Sequence, residues 1–163
     1  MPVIPQTFSA PGSVAGAKLL YFGAAGPLPA ELAAEVRSLK IEHVSPAALV
    51  HQEICRCTPL GRQAVEADRH GVTVPDRILL AIVHRWFWRR KHDAGFLLQG
   101  FPATLLHARV FDEWLDARQE ALTGCLAGAA SPASLVVLEH YRTLGLLGES
   151  GPFAAVACMR RFR

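Results

Sequence analysis

The chain has 163 residues, 51% hydrophobic and 19% charged, with a formal net charge of +3. That is enough for one domain with a real core and far too apolar for a disordered chain. No apolar run approaches the ~18 residues of a membrane span, residues 1–18 lack the layout of a secretory signal, and so small a charge surplus does not point to nucleic acid.

Four cysteines are too sparse for a disulfide framework. Cys55 and Cys57 are too close for a zinc knuckle, and Cys125 and Cys158 have no partner at metal spacing. All four therefore read as reduced thiols, in a cytoplasmic protein without a metal site.

In chain order, residues 1–17 are rich in Pro, Gly and Ser and read as an irregular arm. Lys18 to Gly23 is a short apolar run stopped by glycine, which suits a buried parallel strand. Pro29 sits in the first turn of a helix reaching about Leu39. A strand is expected over Ile41 to Val44. Ser45-Pro46 then caps and opens a helix to about Cys55. Thr58-Pro59 opens another, ended by Gly71. Pro75-Asp76 begins a long helix to Lys91. Phe96 to Gly100 is a second apolar run closed by glycine, followed by a helix from Thr104 to Arg118. A strand over Thr123 to Ala127, a helix from Ser131-Pro132 to about Leu144, and a strand over Ala154 to Cys158 complete the reading. Short buried strands alternating with helices predict an α/β fold with a mostly parallel sheet and helices on both faces.

From Thr58 onward the pattern is specific. Thr58-Pro-Leu-Gly61-Arg-Gln-Ala, then Gly71-Val-Thr-Val74-Pro-Asp76 and Ile82-Val83, resembles the adenylate kinase family. So does Gly95-Phe-Leu-Leu-Gln-Gly100-Phe-Pro102-Ala-Thr104, beside that family's G-F-L-L-D-G-F-P-R-T. The resemblance runs from about Lys18 to Arg118, with Tyr141-Arg-x-Leu-Gly-Leu-Leu147 resembling the closing helix and strand. It implies a three-layer fold like that of the P-loop NTPases. Residues 18–163 would form a single domain, with 45–75 as the monophosphate-binding helical segment.

The resemblance also marks what has been replaced. The family's G-x-x-x-x-G-K-[ST] loop cradles phosphates on backbone N–H groups, with its Lys reaching the β- and γ-phosphates. The matching segment is Gly23-Ala-Ala-Gly26-Pro-Leu-Pro29-Ala-Glu31, a degenerate P-loop with Pro29 at the lysine position and Glu31 at the Thr. Two prolines remove two N–H donors. The family's S-T-G-D-x-x-R appears as Ser45-Pro46-Ala47-Ala48-Leu49-Val50-His51, so His51 replaces an acceptor arginine. Gln99 replaces the metal-serving Asp, Ala103 the next Arg, and His107 the adenine-reading Gln. The chain after Arg118 is too short for the family's lid. ATP and magnesium would serve the family; no cofactor is expected for this chain.

Val74, Gly100, His107 and His51 are the candidate residual nucleotide contacts. For Val74 and Gly100 the plain alternative is that the fold needs them. For His107 it is a partly buried histidine with one hydrogen-bond partner, and for His51 simple exposure. On the helix from Asp76, Ile78, Leu79, Ile82, Val83 and Trp86 fall within one ~140° arc, which predicts Trp86 in the core and Trp88 in solvent. Trp88, edged by Arg85 and Arg89, is either a contact for a partner or second copy or a ring covered by cation–π stacking on Arg85.

The functional expectation is a degenerate adenylate kinase-like protein, inactive in phosphoryl transfer, that acts through a protein partner or as a homodimer. A nucleoside monophosphate would bind weakly, and neither membrane nor nucleic acid is an expected partner. The alternatives are a nucleotide-binding module without chemistry, or a kinase with rearranged phosphate contacts.

Overall fold

The computed structural model describes residues 16–23, 26–128 and 135–147. Its strands are β1 (Lys18–Phe22), β2 (Glu42–Val44), β3 (Phe96–Gln99) and β4 (Gly124–Ala127). Its helices are α1 (Ala30–Leu39), α2 (Pro46–Cys55), α3 (Pro59–Arg69), α4 (Asp76–Arg89), α5 (Leu105–Ala117) and α6 (Leu135–Thr143). The strands form one parallel sheet in the order β2-β3-β1-β4. Leu147 adds an isolated parallel bridge to Cys125. Among these elements none is separated from the next by a lid-sized insertion; the longest connections are 23–29 and 128–134.

Alternation along the strands divides the core in two. Leu19, Tyr21, Leu97 and Leu126 pack on one face against Leu32, Val36 and Leu39 of α1. On the other face Leu20, Phe22, Phe96, Leu98 and Cys125 meet residues of α2, α4, α5 and α6. Leu20, Phe96, Leu97 and Leu98 are completely buried, each worth about 1.5–3 kcal/mol relative to exposure.

The helix starts follow their caps. Ser45, Thr58 and Thr104 each accept a hydrogen bond from a backbone N–H three residues on, a contribution of about 1 kcal/mol apiece. Pro46 and Pro59 occupy first helical positions, where no N–H is needed. Gly61 is demanded by packing: a Cβ there would come within 2.2 Å of the Glu53 carbonyl oxygen, where α3 presses on α2.

Three expectations need correction. α4 ends at Arg89 rather than Lys91, because Arg90 adopts an extended backbone and turns its side chain inward. Trp86 is only partly buried, whereas Phe87 is completely buried. The one-arc reading neglected that α5 presses on a second side of α4. Phe87 lies 5.6 Å from the Phe111 ring and 6.0 Å from Trp114. Trp86 instead lies edge-on to Phe96 at the rim, its indole N–H directed at Glu42. Finally, the ring of Trp88 is covered not by Arg85 but by Arg118, at 5.4 Å. Residues 1–15 of the irregular arm expected over 1–17, the Ser131-Pro132 helix start, the 154–158 strand and the basic tail lie outside the described residues.

At the end of the sheet where the strands begin, Glu120 is sealed from solvent among cations. Arg90 and Arg118 both pair with its carboxylate, and the Asp93 N–H donates to it at 2.9 Å. Arg90 is stacked over Phe87 and Phe96 at 4.5 and 4.9 Å. Burial pushes the Glu120 carboxyl upward, but these donors outweigh it and hold it below the usual range.

Candidate functional site

Ligands of open parallel sheets sit beyond the carboxyl ends of the strands. Here the segments that leave those ends are 23–29 after β1, Ser45 after β2, 100–104 after β3 and Gly128 after β4. Tyr21 fills part of that edge. A Cβ on Gly23 would fall 2.2 Å from its ring, and one on Gly128 would fall 3.0 Å from its hydroxyl. An aromatic ring thus lies between the segments that follow β1 and β4.

Pro29 stands at the N-cap of α1, with no side-chain cap on the helix. Pro27 and Pro29 bring carbonyl groups but no N–H donors. Glu31 lies exposed in the first turn. Its carboxylate complements the positive end of the α1 dipole and repels another anion there. Opposite, Gln99 donates from its amide to the Gly26 carbonyl at 3.1 Å, and its Oε1 lies 2.8 Å from His43 Nε2. A neutral amide therefore ties β2, β3 and the loop together at the position where the resemblance puts a metal-serving carboxylate.

His107 is buried and stacked on Phe101, with centroids 5.3 Å apart. The Ala103 N–H is directed at its Nδ1 at 3.4 Å. Nε2 lies 3.1 Å from the Asp76 carboxylate, without hydrogen-bond alignment. Val74 is half-buried against the main core, two residues before Asp76. Gly100 has φ +80° and open space around it. The structure thus gathers Val74, Gly100 and His107 at one corner through Asp76 and Phe101. His51 is exposed on α2, and its side-chain partner is Cys55, with Nε2 3.5 Å from Sγ.

Arg85, Trp88 and Arg89 share α4 but diverge in their surroundings. Arg85 pairs with the buried Glu53 at 3.4 Å, on the α2 side. Trp88 is 42% exposed and packs beside His84 and Phe87. The Asp76–His107 approach, the His43–Gln99 contact and the buried Glu53 had no local signal in the sequence, because each joins elements distant along the chain.

Cys55 and Cys57 are exposed free thiols and Cys125 a buried one, which burial pushes up to about 12. His92, Asp93 and Glu120 bring ligand atoms within 4.8 Å of one another. Lys18, Arg90 and Arg118 already neutralise those carboxylates, so the group does not suit a cation. Among the described residues no helix is long and apolar enough to cross a membrane.

No family model matches the chain. Curated proteins do. An adenylate kinase of Moorella thermoacetica is 39% identical over 84 residues, covering 52% of this chain and 39% of the relative. An adenylate kinase of Prochlorococcus marinus is 29% identical over 97 residues, covering 60% and 52%. One of Clostridium botulinum is 33% identical over 86 residues, covering 53% and 40%. The chain spans about half or less of the length of the curated relatives it matches.

Proposed function

We propose, taking this chain as a relative of the adenylate kinases with an α/β fold of the P-loop NTPase type, that it keeps the family scaffold without phosphoryl transfer. It acts instead through association with a partner or a second copy of itself. The observation that carries this reading is the start of α1. Pro29 occupies the lysine position and Glu31 sets a carboxylate in the first turn. Phosphoryl transfer is almost wholly positioning and charge neutralisation, and one arginine finger is worth ~10³–10⁵ in rate. Here the lysine, the metal-serving carboxylate and the acceptor arginines are replaced together by Pro29, Gln99, His51 and Ala103. Even strongly non-additive losses leave no useful rate.

Association is supported by apolar surface. Leu106, Leu135 and Leu144 are each more than half exposed, and Leu135 lines an open groove between α5 and α6 with Leu105 and Leu138. The exposed edge of Trp88 on α4 offers a second surface.

The corner formed by Val74, Gly100 and His107 favours one other reading, a nucleotide-binding module without chemistry. Calorimetric titration with AMP, ADP and ATP, beside sedimentation of the free protein, separates the two. Self-association or partner capture with no micromolar nucleotide binding is the expected result. Micromolar AMP binding by a monomer would replace the first reading with the second.

A further inference from the structure

We propose that the cleft between α2 and α4 is an oxyanion site, taking a phosphate or carboxylate group at the end of the sheet opposite the strand-following loops. The cleft has a volume of about 240 Å³, and Gln52, Arg56, Arg85, Trp86, Arg89 and Arg90 contribute to its lining. Its position follows from the topology. Arg56 closes α2 and Arg89 closes α4, just before β3 begins. Glu42 on its wall pairs in register with Phe96, at the starts of β2 and β3. A parallel sheet puts these residues a full strand length from the Gly23–Pro29 loop, so the cleft is separate from the site considered above.

The charges in the cleft are not equivalent. Arg90 turns inward, its two terminal nitrogens bound to the buried Glu120 and the Ala94 carbonyl and its buried Nε without a hydrogen-bond partner among the described residues. Arg85 pairs with Glu53 at 3.4 Å, and Glu53 also accepts from the Thr58 hydroxyl. Glu42 accepts from the Trp86 indole N–H at 3.4 Å. Both carboxylates on the wall therefore have donors. Arg56 and Arg89 have no side-chain partner among the described residues. Two guanidinium forks without a side-chain partner among the described residues, and a third that is loosely paired, thus line a cleft with a cation in excess.

Guanidinium presents a planar fork matched to the two oxygens of phosphate or carboxylate, and such charge-assisted pairs are the strong ones. Nothing on the α2–α4 wall supplies that acceptor to Arg56 or Arg89. Gln52 adds a neutral amide able to donate to a third oxygen. A metal cation is disfavoured by the same excess of positive charge.

The test is thermal unfolding of the intact chain in sodium phosphate, sodium acetate and sodium chloride at matched ionic strength. Because phosphate also raises Tm by exclusion from any protein surface, only a rise over chloride that the Arg56 and Arg89 substitutions remove counts as binding; such a rise with phosphate alone assigns a phosphoryl group, and with both anions a carboxylate-tolerant site. The Arg56→Gln/Arg89→Gln double variant should lose roughly tenfold or more in apparent anion affinity. Arg109→Gln, a cation on α5, should lose nothing. Should the double variant not fold, Arg89→Lys keeps the charge and removes the fork, and is expected to weaken binding several-fold. No rise over chloride with either anion, or anion affinity unchanged by the Arg56 and Arg89 substitutions, overturns the proposal.

Discussion

Glu120→Gln removes the one negative charge between two buried arginines. The Glu120 side chain has no exposed surface, and those of Arg90 and Arg118 have 5% and 9%. Leaving a buried ion without its partner costs about 3–5 kcal/mol. Part of that is recovered here. Glutamine retains an acceptor oxygen, Arg118 keeps its bond to the Phe87 carbonyl at 2.6 Å, and Arg90 keeps its bond to the Ala94 carbonyl at 2.9 Å. The net expectation is about 2–4 kcal/mol, which for a chain of this length is roughly 5–15 °C in Tm. Urea unfolding followed by tryptophan fluorescence measures it. The pH dependence gives a second readout. The folded-state carboxyl is held below its ordinary value of 4.5, so its contribution is present above that pH and is lost as pH falls through the lower folded value. The gap between parent and variant should be full at pH 7 and shrink below about pH 4.5. A variant within about 1 kcal/mol of the parent at pH 7, or a gap unchanged down to pH 3, would refute the reasoning.

Gly61→Ala should cost about 1–3 kcal/mol or more in urea unfolding, because the new Cβ meets the Glu53 carbonyl at 2.2 Å and α2 must move; unaltered stability would contradict the packing of α2 on α3. His107→Ala removes a buried ring stacked on Phe101 and should cost about 2–4 kcal/mol by thermal melting. Leu135→Asp, at an exposed position, should leave Tm almost unchanged while shifting sedimentation toward the monomer. An unchanged distribution in an associating parent would remove the α5–α6 groove from the interface.

The sequence exposes the elements whose causes are local. Ser45-Pro46, Thr58-Pro59 and Thr104 carry their own capping chemistry, and their helices begin where those residues stand. The apolar runs before Gly23 and Gly100 are strands for the same kind of reason. The phase of α4 was harder to read because that helix is buried on two sides. A single arc chosen from Ile78, Ile82 and Val83 favoured Trp86, while α5 supplied the contacts that bury Phe87. Arg118 reaches Trp88 from the far end of α5, and no spacing rule links residues thirty positions apart. Glu120 follows a helix in a polar stretch and reads as a surface residue; its burial depends on Arg90 turning inward. At the candidate site the sequence offers Pro29, Glu31, Gln99 and His107 one by one, as departures from the pattern it resembles. The bonds from Gln99 to Gly26 and His43 are not legible there, since they arise only when β2 and β3 pair.

The central claim is that this scaffold no longer transfers phosphate, and ADP formation from ATP plus AMP across a range of magnesium concentrations tests it most directly. The start of α1, with Pro29 at the lysine position and Glu31 in the first turn, predicts no ADP above the protein-free blank. ADP formed at a rate proportional to the concentration of the chain, and copurifying with it through every step, would contradict the account.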